Sequence, residues 1–217
     1  MNVEQARFNM IEQQIRPWDV LDPAVLSLLT VVKREDFVPQ AYRSLAFVDT
    51  EVPLPGGQCM LAPRVEARLL QELAVHKHER VLEIGAGSGH MAALLAHRAQ
   101  HVVTMEIRPE LARMAATNLQ RAAVVNVDVR TGDGARGLAA EGPFDVIVLS
   151  GSVAEVPQTL LAQLKVGGRL VGIVGQQPVM RATLVTRGSE HGYASVELFD
   201  TVAQRLVGFD EPTRFSF

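Results

Sequence analysis

The stretch best placed to do chemistry is Val81-Leu82-Glu83-Ile84-Gly85-Ala86-Gly87-Ser88-Gly89-His90, where a glutamate stands two residues ahead of three alternating glycines. Glycines at such a turn let the backbone bend tightly and come close to a ligand. A dinucleotide loop has the spacing G-x-G-x-x-G. The spacing here is G-x-G-x-G, and Glu83 would repel a pyrophosphate at this point. The same carboxylate would attract a sulfonium cofactor with a free amino group, and S-adenosylmethionine is that kind of ligand. Spacing and charge thus disfavour a nicotinamide dehydrogenase. The residues expected at the cofactor are Glu83, Gly85, Ala86, Gly87, Ser88 and Gly89. Glu106, about twenty residues further on with Ile107 beside it, can accept from both ribose hydroxyls. Asp133-Gly134, in the run Thr131-Gly132-Asp133-Gly134, can face an adenine amino group. An ordinary Asp-Gly turn is the plainer reading of that pair.

A second candidate site is the loop from Pro53 to Ala67, PLPGGQCMLAPRVEA. Gln58, Cys59, Met60 and Leu61 sit at its centre, so soft and apolar side chains occupy a place where chemistry usually needs polar ones. Cys59 has no lysine or histidine next to it in sequence to activate it, and methyl transfer needs no covalent intermediate. A small buried thiol is the expectation there. Arg16 and Arg64 are the cations to weigh for an anionic substrate group, against the plain reading of solvated arginines. Trp18, the single tryptophan, reads either as a lid over the cofactor or as a packed anchor. His90 immediately follows the glycine loop and reads either as a contact to the cofactor or, more plainly, as the first turn of the helix. The histidines show no metal spacing: His97 and His101 straddle a helix end and a strand start.

These residues need elements to hold them. Residues 4–15 read as an amphipathic helix with Phe8, Ile11 and Ile15 on one face, stopped at Arg16-Pro17. Asp22-Pro23 starts a second helix with Val25, Leu26, Leu29 and Val32 apolar. Short helical turns are expected through REDFVPQAYRSLAF, then a helix from Pro63 to Leu73 with Val65, Leu69, Leu70 and Leu73 inward. After that come β-branched runs at 80–85, 101–107, 126–133, 144–151 and 168–175. Helical patterns lie between the first three and between the last two. Such apolar strands are usually buried on both faces of a parallel sheet. The runs at 181–187 and 194–203 have no helix between them and can pair antiparallel at one edge. The expected fold class is α/β: a three-layer, doubly wound, mostly parallel Rossmann-like sheet with an antiparallel C-terminal hairpin and an N-terminal helical region. One domain over 1–217 is expected. It divides into a helical region with the acceptor loop (1–62), a cofactor-binding core (63–175) and C-terminal strands (176–217).

Composition agrees with that outline. A chain of 217 residues, 47% hydrophobic and 21% charged, can form a full core. A net charge of −3 gives no electrostatic case for nucleic acid or an anionic membrane surface. The N-terminus carries glutamate and glutamine through its apolar positions, unlike a signal peptide. A single cysteine fits a reducing, cytoplasmic setting.

The chain resembles the protein-L-isoaspartate O-methyltransferase family over nearly its whole length. MIEQQIR, DPAVLSLLTVVKREDFVP and AYRSLAFVDTEVPLPGGQ match the family's N-terminal region. VLEIGAGSGHMAALLA matches its cofactor loop, and FDVIVLSGSVAEVPQTLLAQLKVGGRLVGIVG its fourth and fifth strands. The N-terminal match matters most, because generic methyltransferases lack that region. The resemblance implies methylation of the free carboxylate of isoaspartyl residues in aged proteins, with S-adenosylmethionine spent to S-adenosylhomocysteine. In the family the acceptor loop reads close to G-Q-T-I-S-x-P, and Gln58 is implied at the cofactor. Here Cys59 stands for the threonine, and Leu61 for the serine usually given the catalytic role. Two readings of Leu61 follow. Either backbone groups carry the alignment and activity survives, or the acceptor is something else, such as a small apolar molecule. A cofactor-binding homologue without turnover is a third.

Overall fold

The computed structural model describes residues 2–211, so the last six residues of the expected C-terminal region lie outside the described ones. Every strand run read from the sequence is a strand, and together they form one sheet. Its members are β3 (Arg80–Ile84), β4 (His101–Glu106), β5 (Val127–Thr131), β6 (Phe144–Val153), β7 (Leu164–Gln176), β8 (Val179–Arg187) and β9 (Tyr193–Thr201). Their order is β5-β4-β3-β6-β7-β8-β9. The first five pair in parallel, while β8 and β9 pair antiparallel at one edge. The order reverses between β3 and β6, which places the switch point at the end of β3, where open α/β sheets bind ligands. β3, β4 and β6 are buried through Val81, Leu82, Val102, Val103, Val146 and Ile147. β5 departs from the expectation of two buried faces. It is an edge strand, half-exposed along its length.

Two buried clusters flank the sheet, one on each side. The larger holds α3 (Pro63–Leu73), whose Val65, Leu69, Leu70 and Leu73 are all buried as expected. It also takes in α2 (Pro23–Val31), capped by Asp22, whose carboxylate accepts from the Ala24 amide at 2.8 Å. Between β3 and β4 lies α4 (His90–Ala96), and between β4 and β5 lies α5 (Pro109–Arg121). The crossover from β6 to β7 shrinks to a single turn, α6 (Gln158–Leu161).

The N-terminal helix α1 (Val3–Met10) runs on into π-helical turns over Ile11–Ile15. That widening shifts the buried face to Arg7, Met10, Ile11 and Ile15, and Phe8 is left 57% exposed, contrary to the sequence expectation. Arg7 is held inside by a buried ion pair with Glu35. The acceptor loop is more ordered than a turn. β1 (Val52–Leu54) and β2 (Gln58–Met60) form a small antiparallel hairpin, with Pro53 opposite Cys59 and Leu54 opposite Gln58. No helix among the described residues is long and apolar enough to cross a membrane.

Candidate functional site

The glycine loop is fastened to the neighbouring strand before any ligand is considered. The amides of Gly85 and Ala86 both donate to the Met105 carbonyl, at 2.9 and 3.2 Å. Gly89 has φ +85°, and a Cβ on it would lie 3.2 Å from the Ala115 backbone on α5. Only glycine meets both demands. From α5, Asn118 donates its side-chain amide to the Ser88 carbonyl at 2.9 Å.

Two carboxylates flank this loop. Glu83 is fully buried and accepts from Thr104 Oγ1 at 2.7 Å and Ser150 Oγ at 2.6 Å. Burial pushes its carboxyl up to about 7, only partly offset by the two hydroxyls. Glu106 accepts from the Gly87 amide at 2.9 Å through one oxygen and from the Arg108 amide at 3.0 Å through the other. A carboxylate has about four lone-pair sites, so each oxygen keeps capacity for a ribose hydroxyl.

A cavity of about 50 Å³ brings together Gln58, Gly85, Gly87, Glu106, Ile107 and Gly134. Leu206 and Val207 line it as well, and a Cβ on Gly85 would lie only 2.8 Å from Leu206 Cδ2. A smaller cavity of about 20 Å³ adjoins it on Cys59, Gly85, Gly87 and Ser150. That one holds Leu61, Glu83, Ala86 and Ser88 together with Glu66 and His90. Asp133 is placed elsewhere. Its carboxylate accepts from the Ala135 amide at 2.9 Å, closing a local turn, and it lines a separate cavity with Arg136 and Glu155. Its neighbour Gly134 does reach the glycine-loop cavity.

Sharing Gln58 and Cys59 with that cavity, an open groove of about 1170 Å³ is lined by Trp18, Tyr42, Glu51, Leu61, Arg64 and Phe199 among others. Trp18 is 42% exposed and takes the Arg64 guanidinium on its ring face at 3.8 Å, so it is a groove wall rather than a lid over the cofactor loop or a buried anchor. Arg64 also pairs with Asp49 at 3.0 Å. Arg16 pairs with Glu12 at 2.8 Å and does not line the groove. Cys59 is half-buried, and burial together with Glu51 pushes its thiol up to about 12. It is therefore a neutral thiol at pH 7 and no nucleophile. Leu61 is buried, and its carbonyl accepts from Arg34 Nη2 at 2.8 Å.

Arg34 belongs to a cluster that the sequence reading missed. Its guanidinium pairs with Glu66, and Glu66 also meets His90 Nδ1 at 3.0 Å. Arg34, Glu66 and His90 are all buried. Burial pushes the Glu66 carboxyl up, but His90 and Arg34 outweigh it and hold the group below its ordinary value. Glu66 left a signal in the sequence: it lies in register with Leu69, Leu70 and Leu73, a carboxylate on the apolar stripe of α3. Ser150 and Thr104 left weaker ones, as hydroxyls inside or at the end of apolar strand runs.

The lining fits S-adenosylmethionine in its chemistry. Gly85 and Gly87 present backbone where a side chain would intrude, Glu106 offers acceptors to a ribose, and Glu83 sits beside the loop as a counter-charge to an ammonium. Leu206 fills part of that space in this structure.

Comparison with known proteins points the same way. The family model described as protein-L-isoaspartate(D-aspartate) O-methyltransferase matches residues 5–202. A protein-L-isoaspartate O-methyltransferase 1 of Rhodopseudomonas palustris (strain HaA2) is 41% identical over 203 residues, covering 93% of this chain and 83% of its own. A protein-L-isoaspartate O-methyltransferase of Methanoculleus marisnigri is 42% identical over 169 residues, covering 78% and 77%. Among solved structures, a Plasmodium falciparum chain described as a protein-L-isoaspartate O-methyltransferase in complex with S-adenosyl-L-homocysteine shares the fold. Its TM-score is 0.80 at 19% identity, covering 95% of this chain and 98% of that one. Another, titled protein-L-isoaspartate O-methyltransferase, has a TM-score of 0.77 at 25% identity, covering 91% and 65%.

Proposed function

This chain belongs to the protein-L-isoaspartate O-methyltransferase family, and from that premise we propose how its own residues carry the reaction. It is an S-adenosylmethionine-dependent O-methyltransferase, and the relatives favour an isoaspartyl carboxylate over a small apolar acceptor. The observation that carries the site assignment is that Gln58 and Cys59 line both the glycine-loop cavity and the open groove. A methyl group held in the cavity would thus lie next to an acceptor held in the groove. Bound there, the cofactor would supply an electrophilic sulfonium methyl; an oxygen of the acceptor carboxylate would attack that carbon in line, forming the ester C–O bond as the C–S bond breaks and S-adenosylhomocysteine leaves.

The protein's share is binding, alignment and exclusion of water. Glu83 answers the cofactor's ammonium, Glu106 its ribose, and Gly85, Gly87 and Gly134 give room for close approach. An acceptor carboxylate with a pKa of roughly 4 is already ionised at pH 7, so no general base is required. Cys59 and Leu61 wall the point of transfer without competing as nucleophiles. They leave alignment to backbone groups, and Arg34 holds that backbone through the Leu61 carbonyl. Loss of one aligning side-chain hydrogen bond costs on the order of 10²–10³ in rate, so turnover slower than that of a serine-bearing loop is expected. A free neutral thiol fits a reducing, cytoplasmic setting. Incubation with methyl-labelled cofactor and an isoaspartyl peptide tests the reading. Base-labile methyl ester must form above the level given by the matching aspartyl peptide; equal labelling of the two would sink it.

A further inference from the structure

His90 carries the observation that the reaction as described leaves unused. Its Nε2 is buried and has no hydrogen-bond partner, which is a costly state for a ring nitrogen. Its Nδ1 is engaged by Glu66 at 3.0 Å, and the ring rests edge-on against Phe37 with centroids 5.3 Å apart. The side chain lines the small cavity between the acceptor hairpin and the glycine loop. Of the side chains lining that cavity, His90 is the only one that can carry a positive charge; the other ionisable groups there are Glu66, Glu83 and Cys59.

We propose that His90 Nε2 donates a hydrogen bond to the carboxylate of the cofactor's amino-acid tail, with Glu66 holding the ring for that purpose. The inference rests on the cofactor reading above. Charge supports it. The tail is a zwitterion, and Glu83 answers its ammonium. Without His90 the tail's carboxylate would face Glu66 and Glu83 with no cation lining the cavity. With His90 the partners alternate along one chain of contacts: Arg34, Glu66, His90, the tail carboxylate. The far end of that chain is Arg34 Nη2 on the Leu61 carbonyl. A filled tail site thereby braces the acceptor hairpin, which makes His90 a binding residue and Arg34 and Glu66 positioning residues.

Asparagine and glutamine separate the two ring nitrogens, since asparagine reaches about as far as Nδ1 and glutamine as far as Nε2. The experiment is titration calorimetry of the full chain and its His90→Asn and His90→Gln variants with S-adenosylhomocysteine and with methylthioadenosine, which lacks the tail. His90→Asn is expected to weaken S-adenosylhomocysteine roughly ten- to a hundred-fold and leave methylthioadenosine unchanged, while His90→Gln recovers most of the loss. In the wild type, the imidazole ¹⁵N signal of Nε2 should move on adding S-adenosylhomocysteine and stay put with methylthioadenosine. Wild-type affinity in His90→Asn, rescue by asparagine rather than glutamine, or equal loss of both ligands would overturn the proposal. A wild type that binds neither ligand would instead sink the cofactor reading, and this proposal with it.

Discussion

Leu61 joins two features that are separable: a buried apolar side chain, and a carbonyl oxygen held by Arg34 at 2.8 Å. Changing the side chain leaves the second intact. Leu61→Ser should therefore raise kcat on an isoaspartyl peptide by roughly ten-fold or more, at a stability cost of about 2 kcal/mol or more for the apolar atoms removed. Equal kcat in the two proteins would remove the alignment argument. Glu83 gives a pH prediction. Its folded-state carboxyl is raised to about 7, against an ordinary value near 4.3 in the unfolded chain. Between those values the folded state holds a proton that the unfolded state has lost. This group therefore favours folding less and less as pH rises through that window, and its full cost is present above about 7. Glu83→Gln should melt a few degrees above wild type at pH 8 in the absence of cofactor, and that advantage should shrink toward pH 4. An advantage that does not vary with pH would show that burial of this carboxyl is not what the variant relieves.

At the level of elements, α4 meets α5 at Gly89, which sits 3.2 Å (counted from a Cβ built on it) from Ala115 backbone atoms. Gly89→Ala should cost on the order of 2–3 kcal/mol by chemical denaturation and weaken S-adenosylhomocysteine as well, because the loop cannot settle against α5. Unchanged stability would mean the two helices have slack that the packing does not suggest. This element scale is also where the sequence was most and least informative. Pro63–Leu73 was legible because proline, a three-four apolar spacing and length all agree. The β-branched runs were legible because β3, β4 and β6 are buried on both faces. The hairpin β1–β2 was not, because two three-residue strands, the first holding a proline, joined by Pro55-Gly56-Gly57 look like a turn until their pairing is seen. Phe8 was misplaced because a π-helical turn breaks the 3.6-residue period on which its assignment rested. The glycine-loop residues, Glu83 and Glu106 could be read from their place at strand ends. The partnership of Arg34, Glu66 and His90 could not, since contacts across 24 to 56 positions have no local pattern.

For the whole molecule, the site is assembled from distant parts of the chain: the hairpin at 52–60, the strand ends after β3, β4 and β5, Ser150 on β6, and the segment 203–207. A ligand that binds such a site only when all parts are in place stabilises the whole fold. At a hundred times its dissociation constant, S-adenosylhomocysteine should add about 2.7 kcal/mol, or roughly 5–10 °C in melting temperature, read by scanning fluorimetry. No shift at saturation would show that the parts do not act as one site.

The segment after β9 has a consequence for turnover. Ala203 and Gln204 line the open groove, and Gln204 Nε2 donates to the Gly57 carbonyl of the hairpin at 2.6 Å. Leu206 and Val207 line the glycine-loop cavity, which at about 50 Å³ is far smaller than a nucleoside. One short piece of chain thus lines both spaces, and it must give way for a nucleoside to enter the smaller one. A peptide in the groove would rest against Ala203 and Gln204 and keep that piece down. Traffic through the enzyme then has an order: nucleoside in before peptide, esterified peptide out before spent nucleoside. Product-inhibition patterns would show it as S-adenosylhomocysteine competing with the cofactor and not with the peptide.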